Sequence, residues 1–273
     1  RDVAPSRGLG DVYKRQGYQT LPRRPLEKRK LRYEDVYPVL YLKYRLSRQA
    51  ERSNIKHLVI DEMQDYSRLQ YLIIRRMFSC KMTILGDRAQ TMADHQQDVL
   101  QFLPGIFGKD LRRIEMRKSY RNTVEIASYA ANLIGVTDLE LFERHGMPVL
   151  ERDVTDLEAA LREAVDTLFP DEKTYETAAV IVPDAKTAER AYLILREILA
   201  EKDFDCEKRL SWLNRDSSSF KKGLTVTTFY LAKGLEFDQV FSIFPKDEKR
   251  EIMMQAQYIA ATRALHELRV YHI

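Results

Sequence analysis

His57-Leu58-Val59-Ile60-Asp61-Glu62-Met63-Gln64-Asp65 decides how the chain is read. An apolar run ends in two adjacent carboxylates, with Gln64 and Asp65 just behind. Apolar residues bounded this way read as a buried parallel strand that delivers acids to its carboxyl end. Burying two acids side by side is costly unless a cation or a reaction needs them. The same residues also read as a strand that ends in a solvated acidic turn, and the stretch alone does not separate the two.

Working outward, the chain alternates between two periodicities. Val36, Leu40 and Tyr44 fall at helical spacing and predict a helix from Tyr33 to Arg48. Leu69 to Phe78 predicts an amphipathic helix, and Lys81 to Leu85 the next strand. A further strand is expected near Leu111 to Met116, with a domain boundary just before it. Beyond it, helices are expected at Val124 to Ile134, from Asp156 to a stop at Phe169-Pro170, and at Ala185 to Ala200. Strands are expected at Ala178 to Val182, Leu224 to Thr228, Val240 to Phe244 and Leu268 to Tyr271, and a last helix at Lys246 to Leu265. Leu210 to Lys222 is polar and Ser-rich, with Trp212 as a lone aromatic, and reads as a loop. Strand–helix alternation of this kind is the signature of a parallel sheet with helices on its faces. No internal repeat is visible.

At 273 residues, one large or two ordinary α/β domains are expected. No apolar run is long enough to cross a bilayer, and the polar, basic start does not fit a signal peptide. Cys80 and Cys206 are too few and too far apart for a disulfide framework or a zinc site, and read as reduced thiols. The net charge of +4 permits a polyanionic partner without requiring one. The basic run Arg23 to Arg32 reads as a solvated linker or a phosphate contact. Residues 1–16 show no periodicity and resemble adapter read-through, so they are expected to be a non-native leader.

Four more stretches follow the acidic strand. They are Thr83-Ile84-Leu85-Gly86-Asp87-Arg88-Ala89-Gln90, then Lys118-Ser119-Tyr120-Arg121-Asn122-Thr123, then Thr227 to Asp238 with Lys233-Gly234-Leu235-Glu236 at its centre, and Gln257 to Ala264 with Ala261-Thr262-Arg263-Ala264 at its end. With His57 to Asp65, and in this order, they resemble motifs II to VI of the superfamily 1 helicases, the UvrD/Rep-like group, from about Leu31 to the end of the chain. Three stretches, Leu40 to Leu46, Tyr230 to Asp238 and Glu143-Arg144-His145-Gly146, resemble the HelD or helicase IV-like type. The resemblance implies an α/β protein of P-loop NTPase fold: a partial RecA-like domain (17–110, motifs II and III) followed by a second RecA-like parallel-sheet domain (111–273, motifs IV to VI). It implies ATP and Mg²⁺ as cofactors, single-stranded or forked DNA as partner, RNA polymerase as partner for the HelD type, no membrane partner, and a bacterial cytoplasm.

It also implies roles. Asp61 would hold Mg²⁺ through its water shell, and Glu62 would act as general base on the attacking water. Gln90 would sense the γ-phosphate, since its amide both donates and accepts. Asp87 would shape the turn around Gly86 or link to Gln90. Arg121 and Arg263 would be arginine fingers, because a planar, permanently charged guanidinium matches the spread charge of a transferring phosphoryl group. Without the motifs they read as a helix-start arginine and a late-helix arginine favoured by the dipole. Tyr120 would stack on adenine, or else pack in a core. Glu236 would accept from the ribose, and Gly234 would let backbone approach the ligand. Lys233 is expected to be exposed or functional, and Thr228 and Thr262 to be backbone, phosphate or nucleic-acid contacts.

Three departures matter. No Gly-x-x-x-x-Gly-Lys-Ser/Thr loop occurs, so the phosphate cradle is expected upstream, on a missing Walker A portion of the same protein, and the fragment alone is expected to be inactive. Residues before about Leu111 are then expected to be the looser part. The interval from Arg121 to Thr227 leaves no room for the accessory insert of UvrD-like relatives. Thr91 to Gln96 lacks the aromatic residues that stack on single-stranded bases in such relatives, and Tyr230 replaces their usual His. A 3′→5′ DNA helicase is the first reading, and a HelD-type recycler of RNA polymerase with little unwinding the second. A non-catalytic interaction module is the third.

Overall fold

The computed structural model describes residues 31–46, 52, 54–87, 90, 98–108, 111–116, 118–136, 140–169, 175–202, 205–214, 217, 222–246 and 251–273. The expected leader 1–16, most of the basic run and the segment after Gln90 lie outside the described residues. The chain divides into two units. One is Arg1–Ile55 with Leu69–Ser79, and the other is Lys56–Arg68 with Cys80–Ile273.

The first unit contains helix α1 (Tyr33–Leu46) and most of helix α2 (Arg68–Met77). No residue of α1 is buried, so its helical pattern forms without an enclosed face. Tyr71 and Ile73 of α2 are buried. Arg76 donates from Nε to the Tyr44 carbonyl.

The second unit contains two larger pieces of sheet. Strands β1 (His57–Ile60) and β2 (Lys81–Ile84) run parallel, with His57 opposite Lys81 and Ile60 opposite Ile84. The Leu85 amide donates to Ile60 O and the Met63 amide to Leu85 O, both at 2.8 Å, which carries the pairing past the strand ends. After β2 comes helix α3 (Val99–Phe107), capped by Asp98. The short strands β3 (Lys118–Ser119) and β4 (Glu140–Leu141) pair in parallel on either side of helix α4 (Val124–Leu133).

The remaining elements are β5 (Leu150–Asp153), α5 (Leu157–Asp166), β6 (Thr177–Val182), α6 (Ala185–Ala200), α7 (Cys206–Arg209), β7 (Leu210–Trp212), β8 (Gly223–Thr228), α8 (Phe229–Ala232), β9 (Phe237–Phe244), α9 (Glu251–Ala261) and β10 (Ala264–His272). They build a six-stranded parallel sheet in the order β5-β10-β9-β6-β8-β7. Its central strands are continuous apolar runs because both faces are covered. Val180, Val226, Phe241 and Ile243 pack with α5 and α6 through Leu161, Val165, Leu195 and Leu199. Their neighbours along the strands, Ile181, Val240 and Phe244, pack with α4 and α9 through Ile126, Ala130 and Ile259. This is the two-residue alternation of a pleated strand. Asp156, Asp184 and Thr123 cap the helices that follow them, each accepting from the first turn. The α/β class with a parallel sheet is therefore as the sequence predicts. Among the described residues, no helix is long and apolar enough to cross a membrane.

Several elements differ from expectation. Residues 111–116 form no strand. Charged residues interrupt the run, no strand among the described residues pairs with it, and Ile114 and Met116 are exposed. Leu210 to Trp212 is an edge strand rather than loop, with Trp212 stacked on Tyr192. The last helix is shorter than predicted: it ends at Ala261, and Ala264 opens β10 opposite Phe237, whose amide donates to the Arg263 carbonyl at 2.9 Å. Helix α3 and strands β4 and β5 had no predicted counterpart. β4 and β5 are short and mostly exposed, so they carry no apolar run for a pattern to detect.

Candidate active site

Parallel pairing brings the acidic end of β1 beside the loop after β2. Asp61 is exposed and accepts from the Glu62 amide at 2.8 Å. Glu62 sits in the left-handed region (φ 54°, ψ 51°), an uncommon conformation for a residue with a side chain. Its Oε2 accepts from Gln64 Nε2 at 2.6 Å. Gln64 is buried, and its Oε1 accepts from the Asp87 amide at 3.1 Å. Gly86 is required where these loops meet, since a Cβ there would lie 2.5 Å from Gln64 Oε1 and 2.6 Å from the Met63 nitrogen.

Asp87 is a hub. Its Oδ2 accepts from Tyr258 Oη at 2.9 Å and from Gln90 Nε2 at 3.0 Å. The two roles expected for Asp87, shaping the turn and linking to Gln90, therefore coexist. Burial, followed by the Asp87 carboxylate, raises the Tyr258 phenol pKa and keeps it a donor. With Gln90 Nε2 given to Asp87, Gln90 Oε1 faces Arg263 Nη2 at 3.3 Å.

Arg263 is only 1% exposed. Its guanidinium donates to the carbonyls of Ile259 (3.2 Å) and Leu235 (3.3 Å), to Thr262 Oγ1 (3.1 Å) and to Gln90, all neutral acceptors. Burial, and after it the like charge of Arg121, lowers its pKa, while Glu62 and Glu236 oppose the shift. A fixed cation held, among the described residues, by neutral acceptors leaves its charge uncompensated by them at contact distance, which is the electrostatic condition for taking an anion.

Arg121 is half-exposed and pairs through Nε with Glu236 Oε1 at 2.6 Å. The backbone around it is anchored from both sides. Asn122 Nδ2 donates to the carbonyls of Thr262 (3.3 Å) and Ala264 (2.6 Å). Arg144 Nη2 donates to the Arg121 carbonyl and to that of Leu265 (2.7 Å). The Glu143-Arg144-His145-Gly146 stretch thus ties the Arg121 segment to the strand that follows Arg263.

The structure brings Glu62, Gln90, Arg121, Arg263 and Glu236 into one electrostatic neighbourhood. Lys233, which the sequence left open between exposure and function, also belongs there. Its side chain is 6% exposed, with Nζ 2.7 Å from both oxygens of Asp65 and 3.2 Å from Glu62 Oε2. Its place in Ala-Lys-Gly was the only signal, and that signal did not give its direction. Gly234, just after it, has φ 82°, and a Cβ there would meet open space, so the left-handed turn is what calls for glycine. Thr262 donates to Ile259 O at 2.9 Å and accepts from Arg263. Thr228 is buried, and its hydroxyl has no hydrogen-bond partner among the described residues. Tyr120 stands at the end of β3, exposed, beside Phe142.

Among the described residues, no group of three or more His, Cys, Asp or Glu side chains is gathered for a metal ion. Mg²⁺ in phosphate-transfer sites needs only one or two carboxylates besides water and phosphate, so Asp61, exposed at the end of β1, fits such an ion. The anion-ready Arg263 fits the phosphates.

Residues 14–96 match the family model of the UvrD/REP helicase N-terminal domain. Among solved structures, the chain is similar to the C-terminal domain of a possible DNA helicase from Lactobacillus plantarum WCFS1 (23% identity, TM-score 0.43, covering 57% of this chain and 88% of that one). It is also similar to the PRRSV helicase (17%, 0.42, covering 80% and 35%) and to the helicase nonstructural protein 10 of an arterivirus (14%, 0.37, covering 78% and 38%). The chain thus spans a little over a third of each viral protein. No curated protein sequence gives a significant match. The acidic strand and the strand beside it thus lie in the part of the chain, less than half of its length, that is similar to the UvrD/REP helicase N-terminal domain.

Proposed function

We propose that this chain is the carboxyl-terminal part of an ATP-dependent superfamily 1 DNA helicase or translocase. In this reading, 17–110 is the end of a first RecA-like domain and 111–273 is a second one. ATP hydrolysis is coupled to 3′→5′ movement on single-stranded or forked DNA in the bacterial cytoplasm. The phosphate loop comes from a segment outside this chain, so the chain by itself is inactive. The observation that carries the reading is Arg263: buried, hydrogen-bonded among the described residues to neutral acceptors, Gln90 among them, and within the field of Glu62 and Arg121.

Asp61 is the residue that would hold Mg²⁺ through its water shell, an ion that would supply positive charge to the phosphates. Glu62 then orients the attacking water and takes its proton. Gln90 is oriented by Asp87, which Tyr258 and the Gln64 contact hold in place. Arg121 and Arg263 stabilise charge on the leaving phosphates, and Glu236 holds Arg121 until then. Tyr120 stacks on the base, and Thr228 and Thr262 serve phosphate or nucleic-acid contacts. Lys233 holds the free acid cluster together.

The test is Mg²⁺-dependent ATP hydrolysis by the gene product that joins this chain to a phosphate loop, with and without single-stranded DNA. Stimulation by DNA, lost with Glu62→Gln, is the expected result. Hydrolysis that survives Glu62→Gln overturns the assignment. A HelD-type, polymerase-recycling role is favoured by one observation, the lack of aromatic residues in Thr91 to Gln96. Co-purification with RNA polymerase, without unwinding of a forked duplex, selects it.

A further inference from the structure

The stretch Glu143-Arg144-His145-Gly146 has no part in the reaction proposed above, yet it converges on the arginine pair. Arg121 and Arg263 are like charges, close enough for the field of one to act on the other. Two such cations repel, so the backbones that carry them need a tie that does not depend on a bound anion. Two side-chain nitrogens supply it. Asn122 Nδ2 donates to the carbonyls of Thr262 and Ala264, the residues on either side of Arg263. Arg144 Nη2 donates to the Arg121 carbonyl and, at 2.7 Å, to that of Leu265. Asn122 acts from the Arg121 segment itself, whereas Arg144 belongs to neither segment and bridges the two.

The local sequence seats Arg144. Its amide donates to the Phe142 carbonyl at 2.7 Å, and its carbonyl accepts from the Val124 amide at 2.9 Å, at the start of α4. Glu125 grips the next two residues. Its Oε2 accepts from the Gly146 amide at 2.8 Å, and its Oε1 meets His145 Nδ1 at 2.9 Å. Gly146 passes so close to its neighbours that a Cβ would lie 2.6 Å from Thr123 Cγ2 and 3.2 Å from the His266 carbonyl. Among the described residues, Arg144 meets carbonyl oxygens rather than a carboxylate, and its Nε is buried without a hydrogen-bond partner. A buried N–H left unpaired lowers stability, so an ion pair or a well-satisfied staple is not what this arginine is built for. What it does is set one nitrogen between two carbonyls. The Leu265 end is the fixed one, because β10 lies inside the six-stranded sheet. The Arg121 end is the movable one, since that side chain is half-exposed and held by one carboxylate.

We propose that Arg144 is a positioning residue for Arg121: by bridging the Arg121 and Leu265 carbonyls it fixes how far Arg121 stands from Arg263, and so the spacing that the phosphates meet. This rests on the nucleotide reading above. Arg144 acts through Arg121 and touches no phosphate. Glu125, His145 and Gly146 hold the loop that presents it.

The test is a double-mutant cycle on Mg²⁺-dependent ATP turnover, using the gene product that joins this chain to a phosphate loop. Wild type, Arg144→Gln, Arg121→Ala and the double variant are compared, with thermal melting recorded for each. Small displacements of a group that meets the reacting atoms are costly, so Arg144→Gln should lower kcat by about tenfold to a hundredfold, with KM for ATP within about twofold of wild type. In the Arg121→Ala background the same change should lower kcat by no more than about twofold, because the group it positions is gone. Arg144→Lys keeps a donor nitrogen without the planar fork and should fall between Arg144→Gln and wild type. Should Arg144→Gln fail to fold, Arg144→Lys carries the same cycle. Equal losses with and without Arg121 overturn the proposal, since a residue that only supports the fold gives that result. A loss with Arg121→Ala and none with either Arg144 variant overturns it too, and leaves the nucleotide reading standing. Turnover that is absent in wild type, or indifferent to Arg121→Ala, overturns both.

Discussion

Every residue of β8 in the six-stranded sheet is buried, whereas in the β1–β2 pair only Ile60 is. The first sheet is enclosed by apolar clusters on both faces. The second ends in the acids, and its order rests on polar contacts: Gln64 to Asp87, Asp87 to Tyr258, and Lys233 to Asp65 and Glu62. The difference separates two tasks. Packing gives the large sheet rigidity, and Arg263 is set into that rigid frame. Hydrogen bonds and ion pairs hold the acidic edge, and such contacts exchange for others at lower cost than a packed core does.

Core substitutions give the widest contrast. Phe241→Ala empties a fully buried position and should cost about 3–5 kcal/mol. Val59→Ala, at a position 60% exposed, should cost no more than about 0.5 kcal/mol. Urea unfolding measures both, and equal losses would break the comparison. Native-state hydrogen exchange sharpens it next. Amides of β8 and β9 should exchange at least about a hundredfold more slowly than those of β1 and β2, because few buried contacts hold the smaller pair closed. Uniform protection would contradict this.

Lys233→Met comes third. It leaves Asp65 and Glu62 without their cation, at a cost of about 1–2 kcal/mol, since both carboxylates keep partial access to water. The loss should show as faster exchange at β1 and not at β8. The smallest effect concerns Glu125, which anchors the loop carrying Arg144. The hydrogen bond from His145, then that from the Gly146 amide, lowers its carboxyl pKa from 4.5 to about 2. A depressed carboxyl stabilises the fold above its unfolded value and loses that contribution as pH falls through the folded value. The melting-temperature gap between wild type and Glu125→Gln should therefore hold above pH 4.5 and close toward pH 2. A gap that widens on acidification would contradict the sign.

The buried strands were legible because both-face burial writes itself as unbroken apolar runs, as in Ala178 to Val182. Ala185 to Ala200 was legible through its helical spacing and the Asp184 cap. Leu210 to Trp212 was not, because three residues at a sheet edge carry too little pattern. The end of the last helix was misplaced because pairing of Ala264 with Phe237 at the start of β10 overrides local helix preference. Within the site, motif order pointed to Glu62, Gln90, Arg121 and Arg263. The inward turn of Lys233 and the link from Tyr258 to Asp87 depend on contacts between residues far apart in sequence, which no local spacing encodes.

The central claim is that Arg263 is a preset cation for a nucleotide's phosphates rather than a fold-stabilising arginine. The direct measurement is Mg²⁺-dependent ATP turnover of the phosphate-loop-bearing gene product, with Arg263→Lys compared to wild type and thermal melting recorded for both. Lysine keeps the charge but loses the planar fork. The account predicts a fall in turnover of about a hundredfold or more, with the melting temperature nearly retained. Turnover within a fewfold of wild type, in a protein that melts alike, would contradict it.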